Sequence, residues 1–397
     1  MGITSTDKEF AENFWQLQRA REHIRLKHIT ALDGVRGLAI LYVVWHNVAS
    51  KLIWHDNGLF RTLLKIASDA GWVGVQLFFV LSGFLITGIL IDKRGTPNAF
   101  RNFIARRALR IFPVYYVALI ILFWLLPFLG YRAAWLDESL NVQAWYWTYL
   151  VNWITPFKEI GGLSHFWSLA IEEQFYLIWP LLVLSLSNKT LASVCCGLVG
   201  LALGSRAILL WQFPAIADNA TYTFLITRCD ALALGALLAI ALRDEQIGQY
   251  FQKWFKGCSI AVLLLVVVVV LRFHYFDPIQ SDIGALNQTL AAWLSLLLVY
   301  YAVYTNGNLS GVLGRLLQLP VLQSCGKYSY AIYIVHRPIT YFWLHNFDLG
   351  TWLAGPMTTY IAYCGNIVAV FVLSFFVALI SWVAIEQPFL RMKGHFS

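Results

Sequence analysis

The chain has 397 residues, 59% of them apolar and only 13% charged, with a mean hydropathy of +0.63. Soluble domains are about half apolar and about a quarter charged, so too little polar surface is left here to cover a water-facing globule. The composition excludes a disordered chain, collagen, a disulfide-rich secreted scaffold and an ordinary soluble enzyme, and it leaves a polytopic membrane protein, all-α because its apolar runs are too long and unalternating for strands.

Residues 1–30 carry too much charge for a signal peptide. Phe10, Phe14 and Leu17 recur at helical spacing beside Arg19, Arg21 and Arg25, a pattern that predicts a short amphipathic helix on the inner leaflet. Ten apolar runs of about 20 residues follow, the length that crosses a bilayer core. They lie near 32–50, 72–92, 107–130, 166–186, 190–211, 225–243, 257–273, 286–304, 326–345 and 360–385. None shows the period-two alternation of a membrane strand. With the N-terminus inside, 20 of the 29 Lys and Arg residues fall on the cytoplasmic face, and both termini come out cytoplasmic. The net charge of +8 therefore reports topology, and nucleic acid is not needed to explain it. The expected organisation is a cytoplasmic segment 1–30, a transmembrane domain 31–390 and a short cytoplasmic tail 391–397. The stretch 131–165 is rich in Trp and Tyr and reads as an outer interfacial belt.

Six cysteines without a C-x-x-C pair read as packed apolar residues, and no metal motif or Walker loop occurs. Ser82 lacks the preceding glycine of a nucleophile elbow, so hydrolase chemistry is not expected there.

Ionisable groups within hydrocarbon are costly, so each is a functional candidate. His46 lies ten residues after Arg36 in the first run, about 15 Å along a helix. A neutral imidazole there can take a proton from a hydroxyl; the structural alternative is a hydrogen bond to a neighbouring helix. In the fourth run Ser168, Glu172 and Tyr176 are four apart and share a face, with Glu173 about 100° away. Glu172 is placed to orient His46 and to steady its imidazolium, or else it is an interfacial acid. Arg107 and Arg110 open the third run on the cytoplasmic side, where guanidinium forks beside a helix N-terminus suit phosphate; simple positive-inside anchoring is the alternative. Arg228 and Asp230 flank Cys229 and read as a candidate ion pair or as substrate or oxyanion groups. Tyr333 and His336, in a run that also holds Ser329 and Tyr330, are further candidates, as are Glu386 and Pro388 at the end of the tenth run.

Seven of these stretches, in order, resemble the acyltransferase family 3 membrane proteins, bacterial O-acyltransferases that modify surface glycans and some small molecules. The matching residues are Leu32 to His46, Gly71 to Ile86, Arg106 to Pro113, Trp167 to Tyr176, Thr227 to Leu232, Gly326 to His336 and Ser381 to Phe389. The resemblance implies a ten-helix fold in the bacterial inner (cytoplasmic) membrane that takes an acyl group, usually acetyl, from cytoplasmic acyl-CoA. The implied acceptor is a carbohydrate or glycolipid hydroxyl on the outer side, such as that of a surface polysaccharide or lipopolysaccharide. His46 is then the catalytic base, Arg36 its motif partner, Glu172 the family carboxylate, and Arg107 and Arg110 coenzyme A contacts.

Two departures stand out. The family usually has ten residues between the arginine and histidine of the first helix, and here there are nine. On a regular helix this leaves Arg36 and His46 about 80° apart. Either a bend or π-type bulge realigns them, or Arg36 has another part. The second departure is that some relatives carry a C-terminal esterase-like domain, whereas this sequence ends at Ser397.

The reading is a membrane-embedded O-acyltransferase with no metal. A transporter or flippase of a glycolipid or sugar is the alternative from another class, since intramembrane His, Glu and Arg also suit a proton-coupled carrier. Against it, no paired interrupted helices occur in matching halves. A non-catalytic assembly factor for envelope polysaccharide is a third reading, in which His46 and Glu172 are dispensable.

Overall fold

The computed structural model describes residues 29–52, 59–273, 284–304, 311–351 and 356–396. The amphipathic segment expected in residues 1–30 lies outside them up to residue 28. Among the described residues every regular element is helical, and ten helices run from 17 to 29 residues. In chain order they are α1 (Thr30–Ala49), α2 (Val73–Asp92), α3 (Ala99–Ile120), α4 (Phe166–Ser185), α5 (Asn188–Gln212), α6 (Leu225–Ala241), α7 (Glu245–Phe273), α8 (Gly284–Tyr304), α9 (Ser329–Phe347) and α10 (Pro356–Ser381).

Seven helical segments, containing α2, α3, α5, α6, α7, α8 and α10, are long and apolar enough to cross a membrane. The chain is thus a multi-pass membrane protein. The other three expected spans are helices of 20, 20 and 19 residues that do not meet the apolar measure. They are α1, α4 and α9, the helices that carry Arg36 and His46, Glu172 and Glu173, and His336 and Arg337.

Lipid tails are as apolar as leucine, so helices in a bilayer associate through close packing of small residues rather than through the hydrophobic effect. The central seam follows this rule. α6 presents Ala231, Ala233, Gly235, Ala236 and Ala239 to the interior, all buried. Gly83 of α2 lies on the Leu232 carbonyl and Gly235 on the Val80 carbonyl, so a Cβ at either glycine would overlap backbone. α1 packs as closely against the short helix Pro320–Lys327. Its core residues Val35, Ile40 and Val48 are fully buried.

Three local features bear on the site. α1 is an unbroken α-helix, and the π-helical turns lie elsewhere, at Ile121–Leu125 and Trp382–Glu386. α3 begins at Ala99, eight residues before Arg107. The stretch read as an outer belt is only partly one. It folds into short helices Leu140–Trp147 and Val151–Ile154, with Tyr146 and Tyr149 turned inward. The Tyr115 hydroxyl donates to the Tyr146 carbonyl at 2.7 Å, and the Tyr115 and Tyr149 rings stack at 4.0 Å. Trp153 is 38% exposed, while Trp145 and Trp147 are half-buried.

Candidate active site

Five helices meet around a cavity of about 100 Å³. α1 contributes Arg36; α3 contributes Arg107 and Arg110; α4 contributes Ser168, Glu172, Glu173 and Tyr176. α2 adds Val75, Phe78, Phe79 and Ser82, and α9 adds Ser329, Tyr330 and Tyr333. Three guanidinium groups and two carboxyl groups thus share one small enclosure. The four-residue spacing of Ser168, Glu172 and Tyr176 puts all three on its wall, as a helix face requires.

Within it, the Ser82 hydroxyl donates to Glu172 Oε1 at 2.8 Å and the Tyr176 hydroxyl donates to Ser82 Oγ at 3.1 Å. Arg107 lies over the Tyr176 ring at 5.4 Å. Arg36 pairs with Asp33 one turn away at 3.0 Å. The Tyr330 hydroxyl donates to the Ile111 carbonyl at 2.9 Å, tying α9 to α3.

Arg107 and Arg110 also line a groove of about 590 Å³ on the other side of α3. They stand where groove and cavity meet. The helix dipole contributes nothing to them, because α3 starts two turns earlier and the dipole acts only within the first turn. Their affinity for anions rests on the guanidinium forks alone.

His46 is not among the residues of the cavity wall. On an unbroken α1 it projects well around the helix from Arg36, so the nine-residue spacing is not corrected by a bulge and Arg36 stands with Arg107 and Arg110. The His46 Cβ packs on Gly71, where an added Cβ would collide with it. Its Nδ1 lies 2.8 Å from the Ser68 carbonyl. A carbonyl only accepts, so Nδ1 carries the proton and Nε2 of the neutral ring carries the lone pair. The hydrogen bond that orients this imidazole thus comes from a backbone carbonyl, while Glu172 is engaged by Ser82. Val75, at one end of the cavity, is one helical turn from Gly71.

Tyr333 and Ser168 close this end with hydroxyl oxygens 2.5 Å apart, each 3.1 Å from the His165 carbonyl, so that one hydroxyl donates to the other and the second to the carbonyl. Beyond them the His165 and His336 rings meet edge to face at 4.9 Å, and His336 is within electrostatic reach of His46. His336 Nδ1 donates to the Tyr333 carbonyl at 2.6 Å, leaving a buried Nε2 without a partner among the described residues.

Arg228 and Asp230 do not pair, because residues two apart on a helix point away from each other. Asp230 binds Arg206 at 2.8 Å, both side chains fully buried, and accepts from the Thr289 hydroxyl at 2.7 Å. Arg206 also donates to the Thr227 and Ala285 carbonyls. Arg228 is fully buried inside three rings, at 5.6 Å from Phe79, 5.4 Å from Trp167 and 4.8 Å from Tyr222. None of its three nitrogens has a hydrogen-bond partner among the described residues. Phe79 separates it from the cavity. Glu386 is buried within electrostatic reach of Arg110.

Sequence reasoning passed over Ser82, Arg206 and Lys393. Ser82 was judged against a hydrolase elbow rather than as a hydroxyl facing the next helix. Arg206, ionisable within an apolar run, carried the same signal that singled out Arg228. All six cysteines are free, and no group of three metal-ligating side chains occurs among the described residues.

No solved structure matches the chain. Among curated proteins, peptidoglycan O-acetyltransferase OatA of Listeria monocytogenes is 26% identical over 328 residues, 79% of this chain and 49% of that protein. "Putative peptidoglycan O-acetyltransferase YrhL" of Bacillus subtilis is 27% identical over 332 residues, with the same shares of 79% and 49%. The chain spans about half the length of these relatives. The family model described as "Acyltransferase domain" matches residues 29–386, nearly all that the structure describes. The chain belongs to acyltransferase family 3.

Proposed function

We propose that this protein is an O-acyltransferase that moves an acyl group, usually acetyl, from cytoplasmic acyl-CoA to a hydroxyl of a cell-wall or other surface glycan. The observation that carries this reading is one of continuity. Arg107 and Arg110 belong both to an open groove and to the cavity, and the cavity reaches Val75, one turn from the Gly71 that packs on His46. Such a passage lets anion-binding groups hold a donor at one end while a base works at the other. The relatives' names point to peptidoglycan as one acceptor class. The same reading places ten spans in the inner membrane with both termini cytoplasmic.

In this mechanism His46 Nε2 takes the proton of the acceptor hydroxyl as its oxygen attacks the thioester carbonyl. The carbon–sulfur bond breaks, the proton ends on the departing sulfur, and the products are an ester and a free thiol. Ser68, through its carbonyl, keeps the imidazole in the required tautomer. Tyr333 donates at the outer end of the cavity, and Arg228 supplies uncompensated positive charge behind Phe79, where the oxyanion develops. His336 accepts a hydrogen bond from the acceptor. Arg36, Arg107 and Arg110 serve the phosphates, and Glu172 with Ser82 and Tyr176 lines the donor's path.

The test is turnover of acetyl-CoA by the purified protein and by His46→Ala, which is expected to lose activity by ~100-fold or more. Undiminished turnover sinks the mechanism. Thermal stabilisation by coenzyme A, lost in Arg107→Gln with Arg110→Gln, supports the enzyme. Stabilisation by a sugar and indifference to coenzyme A would favour a carrier.

A further inference from the structure

The groove beside α3 has a composition that its two shared arginines do not explain. Lys93, Arg106 and Lys393 line it together with Arg107 and Arg110, and no Asp or Glu is in the wall. Of the two nearby acids, one is committed elsewhere and one reaches a single cation of the groove. Asp92 holds Arg243 through two hydrogen bonds of 2.8 Å, and Glu386 acts on Arg110 from the end of α10. Five cations crowd one concavity, and Lys393 is within electrostatic reach of Arg106, Arg107 and Arg110. Such mutual repulsion favours the binding of a polyanion.

One wall is the turn Met392–Phe396, which follows α10 and folds back onto α3. Arg106 Nε donates to the Phe396 carbonyl at 2.6 Å, which seats the turn. Lys393 and Phe396 are half-buried toward the groove, while Met392 and His395 are exposed. Anchoring to lipid headgroups requires basic side chains on the outside of a bundle. Here one cation, Lys393, sits on the inner side of a strap, in a cavity lined by four more from two other segments and by Phe103 and Phe396.

We propose that the turn Met392–Phe396, through Lys393, with Lys93 and Arg106 opposite, forms the head-group site for the 3′-phosphorylated ADP portion of coenzyme A. The inference rests on the acyltransferase reading and adds to it. Phosphates spread over a diphosphate bridge and a ribose match cations spread over three segments of chain. The half-buried Phe396 offers a ring face for the base. The consequence is donor selection: the protein uses coenzyme A thioesters in preference to acyl groups carried on pantetheine alone.

The experiment compares acetyl-CoA, acetyl-3′-dephospho-CoA and S-acetylpantetheine as donors for the full chain in nanodiscs of neutral lipid, and repeats the set in anionic lipid. Lys393→Glu is expected to raise KM for acetyl-CoA by ~10-fold or more, with the KM for S-acetylpantetheine and kcat unchanged. Lys393→Gln should give a smaller shift in the same direction. Equal effects on all three donors, or no effect, overturn the proposal. So does a groove satisfied by lipid, in which anionic nanodiscs abolish the difference between variant and parent. Calorimetric binding of 3′,5′-ADP gives a readout without turnover. If the parent turns over no donor yet binds 3′,5′-ADP through Lys393, the acyltransferase reading fails and the head-group site stands. If it turns over acetyl-CoA yet Lys393→Glu binds 3′,5′-ADP as the parent does, the site falls and the reading stands.

Discussion

Arg228 and Arg206 are both buried on the same side of the bundle, yet replacing them should have opposite consequences. Arg206 is balanced: its guanidinium meets Asp230 at 2.8 Å, the Thr289 hydroxyl at 2.8 Å and two backbone carbonyls. Arg206→Met leaves Asp230 as an unpaired buried carboxylate, a loss of about 3–5 kcal/mol. Among the described residues, Arg228 has no counter-charge in contact and no hydrogen bond. Burying an ion costs several kcal/mol even after relaxation. Three ring faces at 4.8–5.6 Å return ~1–2 kcal/mol each when desolvated. The two contributions nearly cancel, so Arg228→Met, which keeps most of the volume, should change folding stability by no more than about 2 kcal/mol in either direction. Its effect belongs to the reaction, with turnover of acetyl-CoA falling by ~100-fold or more as a charge aimed at the oxyanion is removed. The assay is thermal melting in one detergent for parent, Arg206→Met and Arg228→Met, paired with donor turnover. If Arg228→Met melts as early as Arg206→Met, the guanidinium is structurally satisfied. If it melts late and keeps full turnover, the idle charge has no part in the chemistry. Either result refutes the reasoning.

Two further outcomes follow from close approaches. Gly71→Ala drives a methyl group into the His46 Cβ; kcat should fall by ~10-fold or more while KM for the donor holds, since the anion-binding arginines are remote, and steady-state kinetics would show a rise in KM instead if Gly71 served the donor. Gly235→Val forces α6 away from the Val80 carbonyl; it should destabilise the fold by about 1–3 kcal/mol or more, read by melting or by loss of folded protein on expression, and a neutral result would show that this helix pair can separate freely.

The sequence by itself determined that the chain is helical, that it crosses a membrane many times, and which residues are expensive enough to need a reason. These follow from properties that do not depend on neighbours: run length, total apolar content and the cost of a charge in hydrocarbon. They suffice to single out Arg36, His46, Arg107, Arg110, Glu172 and Arg228, and helical periodicity alone put Ser168, Glu172 and Tyr176 on one wall. Partnership was beyond reach, because hydrogen bonds and ion pairs are set by which helices cross and at what height. Only the fold decided that Asp230 belongs to Arg206, that Glu172 accepts from Ser82, and that a carbonyl at Ser68 sets the His46 tautomer. It also decided that α3 starts eight residues before Arg107, which removes the helix dipole from Arg107 and Arg110, and that a turn beyond α10 folds back to bring Lys393 to the groove beside them. The same close helix crossings that replace hydrophobic driving force within a bilayer made those pairings.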